Sequence, residues 1–587
     1  MGRLLDALVD PKRREQAILV VLACYAALWT IYGIIAKGSQ DLHFDFGEQY
    51  SWSLDMTWAS PKHPALAQWL VGAWFAAFPR ADWAYYLFAM VIATAALWFG
   101  WRLMEPYLEG PKRVVGLALL TFVPVFNFHA LKFNNNAMSL PTWAATTWLF
   151  LRAFETRRAD YAVLAGLAAG SAMLSKYWSV FLLAGLGIAA LIDRRRFDYL
   201  RSASPWITVA VGALVVAPHF IWVATHGWRT FEWMFSSHPA SDHWTALWSG
   251  VQYIAGTAGY LAAPVLIALV ATRPKRAAIG DMLWPQKPDR RLVVLAFLIP
   301  LLLPALAAPL VGGKPVSLWA LAGVITLPVI VLSPAQLVLT REAALRILGF
   351  AVALPLLAIA AAPAVAFIIH RFGTDTDSPH YRQVAQAVEK VWRETTGQPL
   401  RIVGSYENLL SGTVFYYRDG PSAFEIVNPR MTPWIDDARL ARDGLAMVCP
   451  ADNVLCMNAL NARAARAPGG KRAEVTISRT YMGFSDPPQQ FVIATVPPDG
   501  ARQPAPRSDT NQHSIAVGLR LVRAVHRNVD VFRLLVAELG ELGADLVEMQ
   551  ARNLLVEVLG QRVDLLLVLL RVGPQLDLRQ GLVGERG

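Results

Sequence analysis

The sequence predicts an α-helical polytopic membrane protein with a small α/β domain towards its C-terminus. Three observations carry this. Only 17% of the 587 residues are charged and 55% are hydrophobic, where a soluble chain would carry about a quarter charged. The apolar residues fall in runs of roughly 18 to 24, long enough to cross a hydrocarbon core of about 30 Å as helices. These runs stop after residue 371, where charge rises and short β-like segments begin. Mean hydropathy is +0.37.

Taken in order, the start MGRLLDALVDPKRREQ is polar and basic. The apolar run behind it is long enough to stay as a span, so no cleavable signal peptide is expected. About eleven spans follow, over 17–36, 82–101, 113–130, 137–152, 161–175, 177–192, 206–224, 248–271, 291–311, 316–334 and 346–369. Residues 65–78 are apolar but too short to cross, and predict a re-entrant or interfacial helix. Residues 161–192 could be a hairpin bent at Ser175-Lys176 or one long helix. The basic residues decide between them. Arg102 with Lys112 and Arg113, Arg152 to Arg158, Arg194 to Arg201, Arg273 to Arg291, and Arg341 with Arg346 fall on alternate connections. A hairpin gathers them all on one side with the basic N-terminus, and the positive-inside rule makes that side cytoplasmic. The other side then receives loop 41–78, FNFHALKFNNN at 126–136, the bend at Lys176, loop 226–244, Gly312 to Lys314, and everything just after 370.

The domain division expected is 1–371 in the membrane, 372–498 as a periplasmic α/β domain, and 499–587 as a linker and tail. HYRQVAQAVEKVWRETTG has helical periodicity and ends in Gly. PLRIVGSY, GTVFYYR, GLAMVCP and QQFVIATV read as strands. The tail has no Lys, Trp or Tyr and is assigned no function. Three cysteines rule out a disulfide framework or a zinc pattern. Cys449 and Cys456 could bridge in an oxidising periplasm or remain reduced. The net charge of +11 sits largely in short loops and forms no aromatic-interleaved patch, so no nucleic-acid partner is expected.

The first outer loop concentrates the chemistry. It sets Asp45, Glu48, Asp55, Lys62 and His63 among aromatic residues, and ionisable groups held near lipid are costly and tend to be functional. Glu48 and Asp45, three apart, could face one cavity on a helical turn. Their bland alternative is solvation of the loop or pairing with Lys62. His63 beside an acid could hold a divalent metal, but a lone His next to Pro more often shapes a turn. Lys132 and Lys176 could meet an anion or simply snorkel to the interface. That they share one side favours an anion site. His219, His226, Arg229, His238 and His243 qualify by position alone. Trp228, Trp233 and Trp244 read most simply as an interfacial aromatic belt, and the GLAAGSA face as helix packing.

Glu48-Gln49-Tyr50-Ser51-Trp52 followed by Lys62-His63-Pro64-Ala65-Leu66, and AGLAAGSAMLSKYWSVFLLAGL with its Ser175-Lys176-Tyr177, resemble the bacterial branch of the GT-C membrane glycosyltransferases. This group is akin to protein O-mannosyltransferases, the lipid A aminoarabinose transferase and the rhizobial lipopolysaccharide galacturonosyltransferases. The resemblance spans roughly residues 15–370. It departs at Gly47, where an acid usually precedes Glu48, at Ala65 in place of a second proline, and at Asn134 to Asn136, where an Asp is usual.

What the resemblance implies is a bacterial inner-membrane enzyme that moves a sugar from a polyprenyl phosphate to an envelope acceptor at the periplasmic face. The acceptor would be lipopolysaccharide or another glycolipid, less readily a protein. Glu48 and Asp45 would be the catalytic acids. Lys62, His63, Lys132, Asn136, Lys176, Tyr177 and His226 would bind substrate, and a divalent metal is not demanded. The rivals are a transporter or flippase of a lipid-linked substrate, which would want mid-membrane polar groups and repeated halves, and a non-catalytic envelope scaffold.

Overall fold

The computed structural model describes residues 1–373, 380–465 and 469–499, so the tail expected from 499 onward lies almost wholly outside them. Six helices among the described residues are long and apolar enough to cross a membrane: Arg14–Ala36, Asp82–Met104, Ser204–Thr225, His243–Thr272, Pro288–Val311 and Arg341–Phe372. Large apolar side chains stand out from them, Leu214 at 72% exposed and Leu310 at 83%. Such faces need a lipid solvent, because water would penalise them and the helices satisfy their own backbone. This is a multi-pass membrane protein.

Local chemistry sets the helix ends. Asn134 accepts from the Asn136 and Ala137 amides and caps Asn135–Thr156. Asp242 accepts from Thr245 and caps His243–Thr272. A side-chain oxygen at that position satisfies donors the first turn leaves free. The chain breaks between Ala159–Ser175 and Ser179–Ile192 at the expected bend, so residues 161–192 are not one continuous helix. Gly166 and Gly170 let the first of these helices touch Ser204–Thr225: a Cβ at Gly166 would lie 2.7 Å from the Thr208 carbonyl, and one at Gly170 2.6 Å from Val215. Close backbone approach is what small residues give membrane helices. Two expected spans are built from short pieces. In 113–130 the helix Pro111–Leu120 gives way to 3₁₀ turns at Pro124–Phe126 and Ala130–Lys132, and in 316–334 the 3₁₀ segment Leu321–Thr326 leads into Leu327–Leu332. Pro124 and Pro328 each lack the amide a continuing helix would use.

The C-terminal region is an α/β layer. Its strands are β1 (Ile402–Ser405), β2 (Ser422–Glu425), β3 (Leu445–Pro450), β4 (Arg472–Ile477), β5 (Thr480–Tyr481), β6 (Phe484–Ser485) and β7 (Gln489–Val496). The main sheet runs β2-β1-β3-β7-β4. β1 pairs in parallel with β2 and β3, while β7 pairs antiparallel with β3 and β4. The helix Tyr381–Thr396 ends at Gly397, φ 64°. The expected strand GTVFYYR is not one. Its first residues close the helix Glu407–Val414, because parallel β1 and β2 cannot be joined by a tight turn and need a crossover. Cys449 and Cys456 are disulfide-bonded.

The α/β layer and the membrane helices belong to one compact unit, and the first loop joins them. Asp41 accepts from the Arg382 amide at 3.0 Å and from Arg479 at 2.6 Å. Asp82 pairs with Arg382 at 2.5 Å, and Asp55 with Arg439 at 3.1 Å. Arg80 donates to the Tyr417 carbonyl at 2.7 Å. At Gly47 a Cβ would lie 2.2 Å from the Ser411 carbonyl oxygen, so the Glu407–Val414 helix rests directly on the loop backbone.

Candidate active site

Loop 41–78 folds as two short helices, Phe44–Asp55 and Leu66–Ala77, joined by a turn. Ser60 and His63 close that turn: the Ser60 amide donates to the His63 carbonyl at 2.9 Å, and the His63 amide to Ser60 Oγ at 2.9 Å. The turn carries Lys62 back over the first helix. Lys62 Nζ donates to Glu48 Oε1 at 2.6 Å and also pairs with Glu407. Glu48 is buried, its side chain 6% exposed. Burial pushes its carboxyl up to about 8 against the pull of Lys62, with Glu407 and Asp45 adding to the rise. Burial alone would lower the Lys62 ammonium, but the two carboxylates outweigh it and hold it above its ordinary value. Three groups therefore share one buried positive charge.

Asp45, one turn before Glu48, accepts from Asn134 Nδ2 at 2.9 Å and lies 3.6 Å from His43. It is reached from the second outer loop, as is Gln49, which donates to Asn135 Oδ1 at 2.9 Å. On the far side of that loop Asn136 accepts from Lys176 in the bend after Ser175. The Lys176 ammonium sits 4.1 Å from the centre of the Trp319 ring. No carboxylate pairs with it among the described residues. Burial drops it to about 7, with Asp45 opposing. Asn136, Ser139, Trp143, Lys176, Trp178 and Trp319 line a small cleft with about 10 Å³ of free volume, room for about one water-sized group.

The remaining expected residues divide. His63 lies between the two clusters, with its ring 4.9 Å from Trp233 and 6.5 Å from Trp52. Burial, with Lys176 and Lys62 nearby, keeps it well below the ordinary imidazole value, so it is neutral. Tyr177 donates to His219 Nε2 at 2.7 Å; the other ring nitrogen of His219 must donate to the Trp58 carbonyl at 2.9 Å, which fixes the tautomer. Lys132 is exposed on its 3₁₀ turn, with no ion pair among the described residues. His226 is also exposed, stacked on Trp222 at 4.2 Å, and is not brought to the acid cluster. Lys62, expected on the anion, is instead held between two carboxylates. Glu407 and Trp319 were not singled out by the sequence. Among the described residues no three His, Cys, Asp or Glu side chains converge as a metal site requires, so the geometry around His63 does not fit a bound divalent ion.

The loops expected on one side meet here: Thr230 donates to the Ser60 carbonyl at 2.9 Å, and the Lys314 amide to the His238 carbonyl at 2.9 Å. A buried acid near neutrality and, apart from it, a cation that no carboxylate pairs with among the described residues are groups able to remove a proton and hold an anion.

Fold and first-loop pattern agree on a class: the chain is built like the PMT-like membrane proteins of the GT-C fold. Residues 62–222 match the family described as dolichyl-phosphate-mannose-protein mannosyltransferase. Among solved structures, ArnT from Cupriavidus metallidurans bound to undecaprenyl phosphate matches at TM-score 0.53 and 11% identity, over 83% of this chain and 99% of that one. The same protein in the apo state matches at TM-score 0.52. The archaeal oligosaccharyltransferase AglB from Archaeoglobus fulgidus, in complex with an inhibitory peptide and a dolichol-phosphate, matches at TM-score 0.36 and 12% identity, over 79% of this chain and 74% of that one. No curated protein matches in sequence.

Proposed function

We propose that the chain is an integral-membrane glycosyltransferase that moves a sugar from a polyprenyl-phosphate donor to a lipopolysaccharide or other envelope glycolipid. The reaction would occur at the periplasmic face of a bacterial inner membrane. Residues 1–371 carry the transferase and 372–498 the α/β unit over it. The observation that carries the reading is the pairing of buried Glu48 with a separate cleft whose cation, Lys176, has no carboxylate partner among the described residues. The undecaprenyl phosphate on ArnT fits a lipid-phosphate donor for such a cleft.

In the step envisaged, Glu48 as carboxylate takes the proton of an acceptor hydroxyl, and that oxygen attacks the anomeric carbon. The bond from that carbon to the phosphate oxygen breaks, and its electron pair leaves on the lipid phosphate. Lys176 and Asn136 receive that charge, and exposed Lys132 would attract the anionic donor to the same side of the protein. Lysine at about 7 is part-neutral in an empty cleft and becomes fully charged against a phosphate. Asp45 orients the acceptor through its Asn134 contact, and Lys62 fixes the Glu48 carboxyl. His63 packs neutrally between the two clusters, and Tyr177 shapes the sugar side. His226 stays outside this assignment.

The test is transfer in vitro. Purified protein in lipid receives radiolabelled polyprenyl-phosphate sugars and envelope lipid extract. Wild type is expected to label the acceptor, and Glu48→Gln to lose about 10²-fold or more of the rate, the scale of a positioned proton transfer. Donor binding without transfer, unchanged in Glu48→Gln and Asp45→Asn, would overturn the reading in favour of a carrier or scaffold.

A further inference from the structure

A buried general base must also lose the proton it has taken before the next turnover can begin. Glu48 is 6% exposed and Lys62 11%, whereas the Glu407 side chain is 39% exposed. Lys62 bridges the two carboxylates, at 2.6 Å to Glu48 and in direct contact with Glu407. Glu407 begins the helix Glu407–Val414, which follows the carboxyl end of β1. The carboxyl ends of the parallel strands in an open α/β sheet are where such folds present functional groups, and β1 is parallel to both its neighbours. Gly47 fixes the helix against the loop with no room for a side chain between them.

We propose that Glu407 is the proton outlet of Glu48, acting through Lys62; this rests on the transferase reading above. In the step, Lys62 Nζ gives one of its protons to the Glu407 carboxylate as Glu48 gives its own to Lys62. One N–H bond breaks and one forms, the ammonium is unchanged, and the net result is a proton moved from Glu48 to Glu407. Water at the half-exposed carboxyl then takes it. Glu48 returns to the base form without an opening of its pocket. The groups that face this relay are Asp45 and Tyr381 beside Glu48, neutral His63 beside Lys62, and Glu425 beside Glu407 and Lys62. Glu425 is 4% exposed at the end of β2, with one carboxyl oxygen unpartnered. Burial pushes Glu425 up to about 7, so it competes only weakly for the Lys62 charge.

The experiment compares wild type, Glu407→Gln and Glu407→Asp in weakly buffered medium. Glu407→Gln is expected to lower kcat on the order of 10²-fold with donor KM little changed. Rising concentrations of a small diffusible base such as imidazole should restore it, and Glu407→Asp should retain most of the rate. Wild-type kcat in Glu407→Gln, or a loss that no buffer restores, would overturn the proposal. Infrared titration of the Glu48 carboxyl, assigned by its absence in Glu48→Gln, needs no turnover. Removing the Glu407 charge should shift that titration to lower pH. An inactive wild type with this shift intact would sink the transferase reading and leave the coupling standing; an unmoved titration would sink the coupling itself.

Discussion

The acids of the first loop and of the helix start that follows it are sorted by their neighbours. Asp41, Asp55 and Asp82 each meet an arginine of the α/β layer, and such pairs hold two parts of a chain in register. Asp45 meets an amide and Glu48 a lysine, which leaves both available to chemistry. The Glu48 carboxyl, raised to about 8 by burial, gives a pH dependence with a definite sign. Only the carboxylate takes a proton, so transfer should rise as pH climbs through about 8, and no such limb should remain in Glu48→Gln. The same rise means that Glu48 favours the folded state below its unfolded value, and that this contribution is lost as pH rises through about 8. The most active range is thus the one in which burying this group costs most. Lys176 should act on the donor instead. Lys176→Ala removes a charged hydrogen bond worth about 1.5 to 3 kcal/mol, so donor KM should rise about 10- to 100-fold while acceptor KM holds. Equal changes in both would deny Lys176 its place on the phosphate.

At the scale of elements, one contact explains a departure in the sequence. Gly47 stands where the resemblance led to the expectation of an acid, and the Glu407–Val414 helix, whose Ser411 carbonyl leaves no space for a Cβ, accounts for the glycine. Gly47→Ala should therefore cost about 1 to 3 kcal/mol, the range for overpacking a fitted contact, and lower Tm in detergent. Gly187→Ala, whose Cβ would meet nothing, is the control. An unchanged Tm in both would mean that the helix does not rest on the loop. This contact also marks where legibility ended. The break at Lys176 was readable because one long helix would have put Arg152 to Arg158 and Arg194 to Arg201 on opposite sides. The first-loop acids were readable because charge beside lipid is rare. Glu407 was not: in SYENLL it looks like any acid opening a helix, and its reach to Lys62 is created by a fold joining residues far apart in sequence. GTVFYYR misled for a related reason. Its β-branched and aromatic residues suit a strand, but the parallel pairing of β1 with β2 demanded a helix there.

At the scale of the molecule, both ends of the helical bundle are tied by charge pairs, and at the end that holds Lys176 this cation has no carboxylate partner among the described residues. At one end basic residues meet acids across connections: Arg14 with Glu105 at 3.0 Å, Arg290 with Asp281 at 2.5 Å, Arg341 with Asp6 at 2.7 Å. At the other the first, second and fourth outer loops converge on Glu48 and Lys176 under the α/β layer. The orientation we propose from the positive-inside rule puts the first end in the cytoplasm and would give the acid cluster a periplasmic face. It can be tested without any substrate. Lys132 and Lys275 are both exposed, at opposite ends. On a Cys24→Ala chain, where Cys449 and Cys456 are bonded to each other, Lys132→Cys should react with a membrane-impermeant maleimide in intact cells with a permeable outer membrane. Lys275→Cys should react only after the inner membrane is opened. The reverse pattern would turn the site to the cytoplasm, where a nucleotide-activated sugar rather than a lipid-linked one would be the accessible donor, and the reading of Lys176 as a lipid-phosphate anchor would fall with it.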